Sequence, residues 1–152
     1  MTKKPKVYNL KSEKKIAPTG KIKTILPDNS KDYLNKKPAW RFTYCDTNSK
    51  YNISQCKESL FEKLKSFESM TYNEIFYKSN YQNHQISKNR NKDFDNYIKD
   101  KLNKYDLDES EPIYSLRLDN KTRIYGFIAD DIFYILAYDD EHELYKVYKS
   151  HT

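Results

Sequence analysis

The clearest patterning lies in the last third of the chain. From Ile113 to Leu118 apolar and polar positions alternate, with Leu116 and Leu118 on one side and Ser115 and Arg117 on the other. That period of two is the mark of a half-buried strand. Asp119-Asn120-Lys121 predicts a short turn, because Asp and Asn tolerate left-handed backbone and close turns with their own side chains. Arg123 to Ala129 predicts a second strand, Asp130-Asp131 a second tight turn, and Ile132 to Tyr138 a third strand. Connections this short force neighbouring strands to run antiparallel. Residues 113–148 are therefore expected to form a β-meander.

Upstream the period changes. Ala39 to Tyr44 alternates aromatic and polar residues, a strand with Trp40, Phe42 and Tyr44 on one face. Over residues 54–68, Leu60, Phe61, Leu64 and Phe67 fall on one helical stripe. Thr71-Tyr-Asn-Glu74 fits a capping box that opens a second short helix. Residues 78–92, which include His84, are polar and predict a loop. Phe94, Tyr97, Ile98 and Leu102 predict a further helix over 93–105, which the acidic stretch Asp106 to Glu111 ends. Helices followed by a meander predict an α+β domain. Its small antiparallel sheet would combine the three-stranded meander with an N-terminal strand, and two to three helices would pack on one face.

Length adds that 152 residues suit one domain. Residues 1–38 hold four of the five prolines and little apolar periodicity, so they are expected to form a flexible basic arm in front of a domain at 39–152. The net charge is +6, and its distribution matters more than its size. The first 38 residues carry eleven lysines against Glu13, Asp28 and Asp32, a net +8 that leaves −2 for the rest. Lys3, Lys4, Lys6, Lys11, Lys14, Lys15, Lys21 and Lys23 are the candidate nucleic-acid contacts there, through a long-range and salt-sensitive attraction. The alternative is a solvated tail that keeps the protein soluble.

Other classes drop out. With Gly20 and Gly126 as the only glycines, neither a glycine-rich phosphate loop nor a dinucleotide fingerprint is present. No apolar run approaches the roughly 20 residues that span a bilayer, and the N-terminus has no secretory apolar region. Cys45 and Cys56 lack metal-type spacing and are too few for a disulfide scaffold. A cytoplasmic protein without membrane partner, metal or small-molecule cofactor is expected.

The meander carries the candidate chemistry. If Leu116 and Leu118 pack under the helices, Arg117 points to the open face, and Arg123 and Tyr125 can join it there. Two guanidiniums beside a tyrosine suit phosphate and a stacked base. The alternative pairs both arginines with the acids of 106–111, or with Asp130 and Asp131. Beyond the third strand, His142 follows Asp139-Asp140-Glu141. A histidine among carboxylates is biased toward its protonated form and suits a general acid. Alternatively it is a solvated edge residue, or holds a metal with Asp139 and Asp140.

The run Tyr114-Ser-Leu-Arg117-Leu-Asp-Asn-Lys-Thr-Arg123-Ile-Tyr-Gly-Phe, then Asp130-Asp131, a hydrophobic strand and His142, resembles the C-terminal half of RelE/YoeB-type toxins. The resemblance spans residues 113–145; the part from Trp40 to Leu107 does not align. It implies a RelE-like fold and ribosome-dependent cleavage of messenger RNA, in which a 2′-hydroxyl attacks its adjacent phosphate. Arg117 and Arg123 match the strand arginines that stabilise the charge, and His142 matches the general acid. Tyr145 matches the tyrosine that follows, with Glu143 and Leu144 intervening. The implied partners are RNA or the ribosome and an antitoxin protein. A gyrase-directed toxin of the related ParE type shares the fold without the nuclease residues. The contrasting expectation is a non-catalytic accessory factor of phage or plasmid type, binding nucleic acid or protein through the basic arm and a tyrosine-rich surface.

Overall fold

A computed structural model describes residues 29–46, 49–78 and 82–146. The chain is an α+β protein with a five-stranded mixed sheet and three α-helices among these residues. In chain order the elements are β1 (Ala39–Arg41), α1 (Glu58–Phe67), α2 (Tyr72–Tyr77), β2 (His84–Gln85), α3 (Lys92–Lys104), β3 (Tyr114–Arg117), β4 (Arg123–Ala129) and β5 (Ile132–Asp139). The sheet order is β1-β5-β4-β3-β2.

The meander forms as its pattern predicts. Leu118 donates its N–H to the Thr122 carbonyl (2.9 Å), and one Asp119 oxygen closes the turn by accepting from Lys121 and Thr122 N–H. Asp130 and Asp131 both adopt positive φ, at 51° and 67°. Two consecutive left-handed residues turn the chain with the twist that a two-residue hairpin needs. A register shift at Tyr125/Gly126 marks a bulge between β4 and β5. A Cβ at Gly126 would lie 2.6 Å from a Phe133 ring carbon and closer still to the Tyr134 carbonyl, so this crossing needs a bare backbone.

The first half follows its helical signals with corrections at the ends. Thr71 caps α2 through a complete capping box. In α1, Leu60, Leu64 and Phe67 are buried, but Phe61 is 77% exposed. Asn91 caps α3 by accepting from Phe94 N–H. At the other end of α3, Asp106 adopts φ 58°, and Leu107 and Asp106 donate to the Leu102 and Asn103 carbonyls. This left-handed exit satisfies two orphan carbonyls and folds Leu107 back toward Leu102. The expected strand at 39–44 stops at Arg41. The chain turns there, with Cys45 N–H on the Phe42 carbonyl, leaving Phe42 46% exposed. The stretch expected as a plain loop at 78–92 contributes β2, which pairs with Tyr114 and Ser115. Asn83, buried beside it, donates to the Ile75 carbonyl and accepts from Arg117 N–H.

Two features differ from the expected layout. The sheet is not wholly antiparallel, because β1 runs parallel to β5 in the register Ala39↔Ile132. Nor do all the helices share one face. Trp40 packs on Phe133 (5.5 Å) and on Phe67 of α1 (6.3 Å), and Phe76 of α2 stacks on Tyr114 (4.9 Å). Tyr114 pairs with Gly126, so Tyr125 lies on the opposite face. There Phe94 of α3 meets Tyr125 at 5.1 Å, in a core that also holds Ile98, Leu102, Phe127 and Leu136. Tyr44 joins that side, stacked on Phe127.

Residues 34–38, counted with the arm in the sequence, belong with the domain: Pro38 is buried and the Lys36 carbonyl accepts from Tyr72 N–H. The rest of the expected arm up to residue 28 lies outside the described residues. Among the described residues no helix is long and apolar enough to cross a membrane.

Candidate functional site

The β3–β4 register sets Arg117 directly opposite Arg123. Adjacent cations in a ladder repel, and the turn between them supplies the compensation. Arg117 Nε (3.2 Å) and Arg123 Nη1 (2.8 Å) both donate to the Asp119 carbonyl. Arg117 Nη2 also reaches Asn120 Oδ1 (2.7 Å), and Arg123 Nη1 the Thr122 carbonyl (3.1 Å). A guanidinium offers five N–H donors. Among the described residues, Arg123 therefore keeps its Nε–Nη2 edge free, and Arg117 keeps Nη1 and one Nη2 proton. Neither forms an ion pair with a carboxylate among those residues, so the alternative pairing with 106–111 or with Asp130 and Asp131 is not what the fold adopts there.

His142 lies on the loop that follows β5, in a left-handed conformation (φ 54°) set by its neighbours. Asp139 is 1% exposed, and its two carboxylate oxygens accept from Glu143 (3.0 Å) and Leu144 (2.8 Å) N–H. Burial, then the nearby Arg123 guanidinium, lower the imidazole pKa below its ordinary value, although Asp139 pulls the other way. The expected bias toward the protonated form is thus reversed: the carboxylates around His142 are committed elsewhere. Lys57 pairs with Asp140 (2.9 Å), Lys121 with Glu141 (3.4 Å) and Lys50 with Glu143. Every acid of the 139–143 run has its own lysine or pair of backbone donors. Three of the four carboxylates in this run are thus offset by lysines, while Asp139 and Asp119 keep their charge near Arg123.

Arg123 is itself half-buried, and burial together with Arg117 lowers its pKa. A guanidinium nevertheless stays charged at any working pH. Crowded, partly desolvated cations with unused donors gain most from an anion that bridges them.

Two expected members are elsewhere. Tyr125 is fully buried against Phe94, its hydroxyl finding no hydrogen-bond partner among the described residues, so it cannot stack on a base. The face assumed open is the one that α3 covers. Tyr145 also packs its ring edge-on against Phe94 (4.9 Å) and is 8% exposed; burial raises the pKa of its phenol, with Arg90 and Asp95 as the charges that act on it. Lys3, Lys4, Lys6, Lys11, Lys14, Lys15, Lys21 and Lys23 lie outside the described residues. Of the expected residues, Arg117 and Arg123 come together across the ladder and His142 lies near Arg123; Asp119 and Thr122 hold the arginines, a support that the sequence reading missed. Asp119 was legible as a turn former, but its carbonyl as a shared acceptor was not.

With Asp139 committed to backbone donors, a His142–Asp139–Asp140 metal set does not assemble, and among the described residues no three His, Cys, Asp or Glu side chains converge on one. A separate cleft of 180 Å³ lies beside α3, floored by Phe94, Ile98 and Ile113 and rimmed by Lys88 and Glu109; neither Arg117, Arg123 nor His142 lines it. The chain matches no family model, no curated protein and no solved structure.

Proposed function

We propose that the chain is a RelE-like, ribosome-dependent endoribonuclease of the cytoplasm, acting on RNA at Arg117, Arg123 and His142. One observation carries the reading: two opposed guanidiniums have donors to spare and no carboxylate hydrogen-bond partner among the described residues, and one of them, Arg123, lies near His142, whose pKa is lowered by burial and by that guanidinium. Neutral His142 takes the proton of a 2′-hydroxyl, whose oxygen attacks the adjacent phosphorus. The guanidiniums stabilise the added negative charge, and the departing 5′-oxygen takes its proton from water. The products are a cyclic phosphate and a 5′-hydroxyl. His142 thus serves as general base, where the toxin resemblance alone implies an acid. RNA on the ribosome is the substrate, and an antitoxin protein covering the arginines is the regulatory partner.

The burial of Tyr125 and Tyr145 favours a second reading, an accessory factor that binds nucleic acid through the arginines and the basic arm without cutting it. The test is to incubate the full chain with programmed ribosomes and map RNA ends. Cleavage by the wild type, lost in Arg123→Ala and His142→Ala variants that stay folded, supports the nuclease. Ribosome-bound RNA that is protected but intact overturns it in favour of the second reading.

A further inference from the structure

Arg123 opens β4, paired with Asp139 at the end of β5, and His142 lies on the loop beyond; one buried hydroxyl adds a link between the turn before Arg123 and that loop. Thr122 is 0% exposed and closes four contacts at once. Its N–H donates to Asp119 Oδ1 (2.8 Å), and its carbonyl accepts from Leu118 N–H (2.9 Å) and Arg123 Nη1 (3.1 Å). Its Oγ1 donates across to Asp140, 3.3 Å from the carbonyl and 3.4 Å from Oδ1. The same residue therefore shapes the turn that parks both guanidiniums and grips the loop two residues before His142. Outside it, Lys121 and Glu141 make a second link between the same connections, but at 69% and 51% side-chain exposure. An exposed pair of this kind holds geometry weakly.

We propose that Thr122 is the positioning residue that sets the spacing between the arginine pair and His142. The proposal rests on the nuclease reading for its consequence in catalysis, but its geometric content stands apart from that reading. The charged and polar groups facing His142 are Arg123 from β4, Asp139 from β5, and the Tyr145 backbone and Lys146 from its own loop. If the loop drifts from the turn, Arg123 is the neighbour lost.

The experiment follows the His142 imidazole by NMR titration in the full chain and RNA cleavage in parallel. In Thr122→Val, which keeps the shape and removes the hydroxyl, the imidazole pKa rises toward that of a free histidine. Cleavage falls about 10- to 100-fold in kcat with little change in KM, the cost expected of a small misplacement. Thr122→Ser restores both. Lys121→Ala, an exposed change, leaves the titration as in the wild type. An unshifted titration in Thr122→Val, or failure of Ser to rescue, overturns the proposal. So does a Lys121→Ala variant that by itself releases His142, a result readable even if Thr122→Val does not fold. A wild type that cleaves no RNA overturns the nuclease reading alone, and the titrations still decide the role of Thr122.

Discussion

Arg117 and Arg123 face one another across the β3–β4 ladder, and both guanidiniums donate to the single carbonyl of Asp119. Neither guanidinium hydrogen-bonds a carboxylate among the described residues and both keep unused donors, so the pair can take a bridging anion. Inorganic phosphate is expected to raise the unfolding temperature of the wild type, by about 1.4 kcal/mol of stabilisation at tenfold over Kd. Arg117→Gln/Arg123→Gln abolishes that rise. Thermal melts over a phosphate series check it, with sodium chloride at matched ionic strength as the control. An equal rise in the double variant would place the anion elsewhere.

Tyr125 tests the covered face. Its hydroxyl is buried without a partner among the described residues, and burial drives its pKa upward. Removing an unsatisfied buried hydroxyl recovers a desolvation penalty on the order of 1 kcal/mol. Tyr125→Phe is therefore expected to unfold at a higher denaturant midpoint while RNA affinity stays unchanged. A loss of RNA affinity would return this ring to the binding surface.

The lowered pKa of His142 makes stability depend on pH. The unfolded imidazole titrates near the ordinary 6.5 and the folded one below it, so in this window the unfolded chain binds more protons. Its contribution is present above about pH 6.5 and is lost as pH falls from there through the folded pKa. Denaturant midpoints between pH 5 and 8 should fall on acidification, less steeply in His142→Gln. Identical slopes would refute the lowered pKa of His142.

A second ionic cluster is structural. Lys101, with a side chain 2% exposed, contacts Asp46 at 2.9 Å, and the more exposed Lys104 joins at 3.3 Å. Burial acts to raise the Asp46 pKa, but the two lysines outweigh it and hold the carboxyl below its ordinary value; burial lowers that of Lys101. The directions conflict on whether the pair gains by being charged. The short contact, and the second lysine on Asp46, favour both groups remaining ionised. Removing one partner of a buried pair costs about 3–5 kcal/mol, whereas replacing both with apolar groups is often mild. Asp46→Ala should thus destabilise far more than Asp46→Ala/Lys101→Met, as chemical denaturation will measure.

The meander, its two turns and the α2 capping box were legible because each rests on local chemistry: Asp119, Asp130, Asp131 and Thr71 act on backbone within a few residues. The placement of α3 was not. It depends on which face of β4 is buried, and an alternation argument requires one face to be polar. Here Ile124 and Ile128 alternate with Tyr125 and Phe127, apolar on both sides. That signal of a strand buried on two faces was present in the sequence and would have moved Tyr125 into the core. The nearness of Arg117 to Arg123 was legible, since the short turn between the two strands sets them opposite one another. The protonation of His142 was not, because it turns on burial of the ring and on the nearby Arg123 guanidinium, and neither shows in the residues that flank it. The parallel sense of β1 carries no local signature.

That parallel pairing bears on how the molecule is made. During synthesis β1 leaves the ribosome long before β5, its partner strand among the described residues, has been translated, so it has no such ladder to join. The nascent meander can zip hairpin by hairpin as it emerges, but its outer rim at β5 stays an unsatisfied row of amides and carbonyls until Ala39–Arg41 swings back to cover it. Closing that seam is a long-range event with a large loop entropy. In the interval the bare rim can capture the corresponding segment of a sister chain, so conditions that slow closure should yield strand-exchanged dimers.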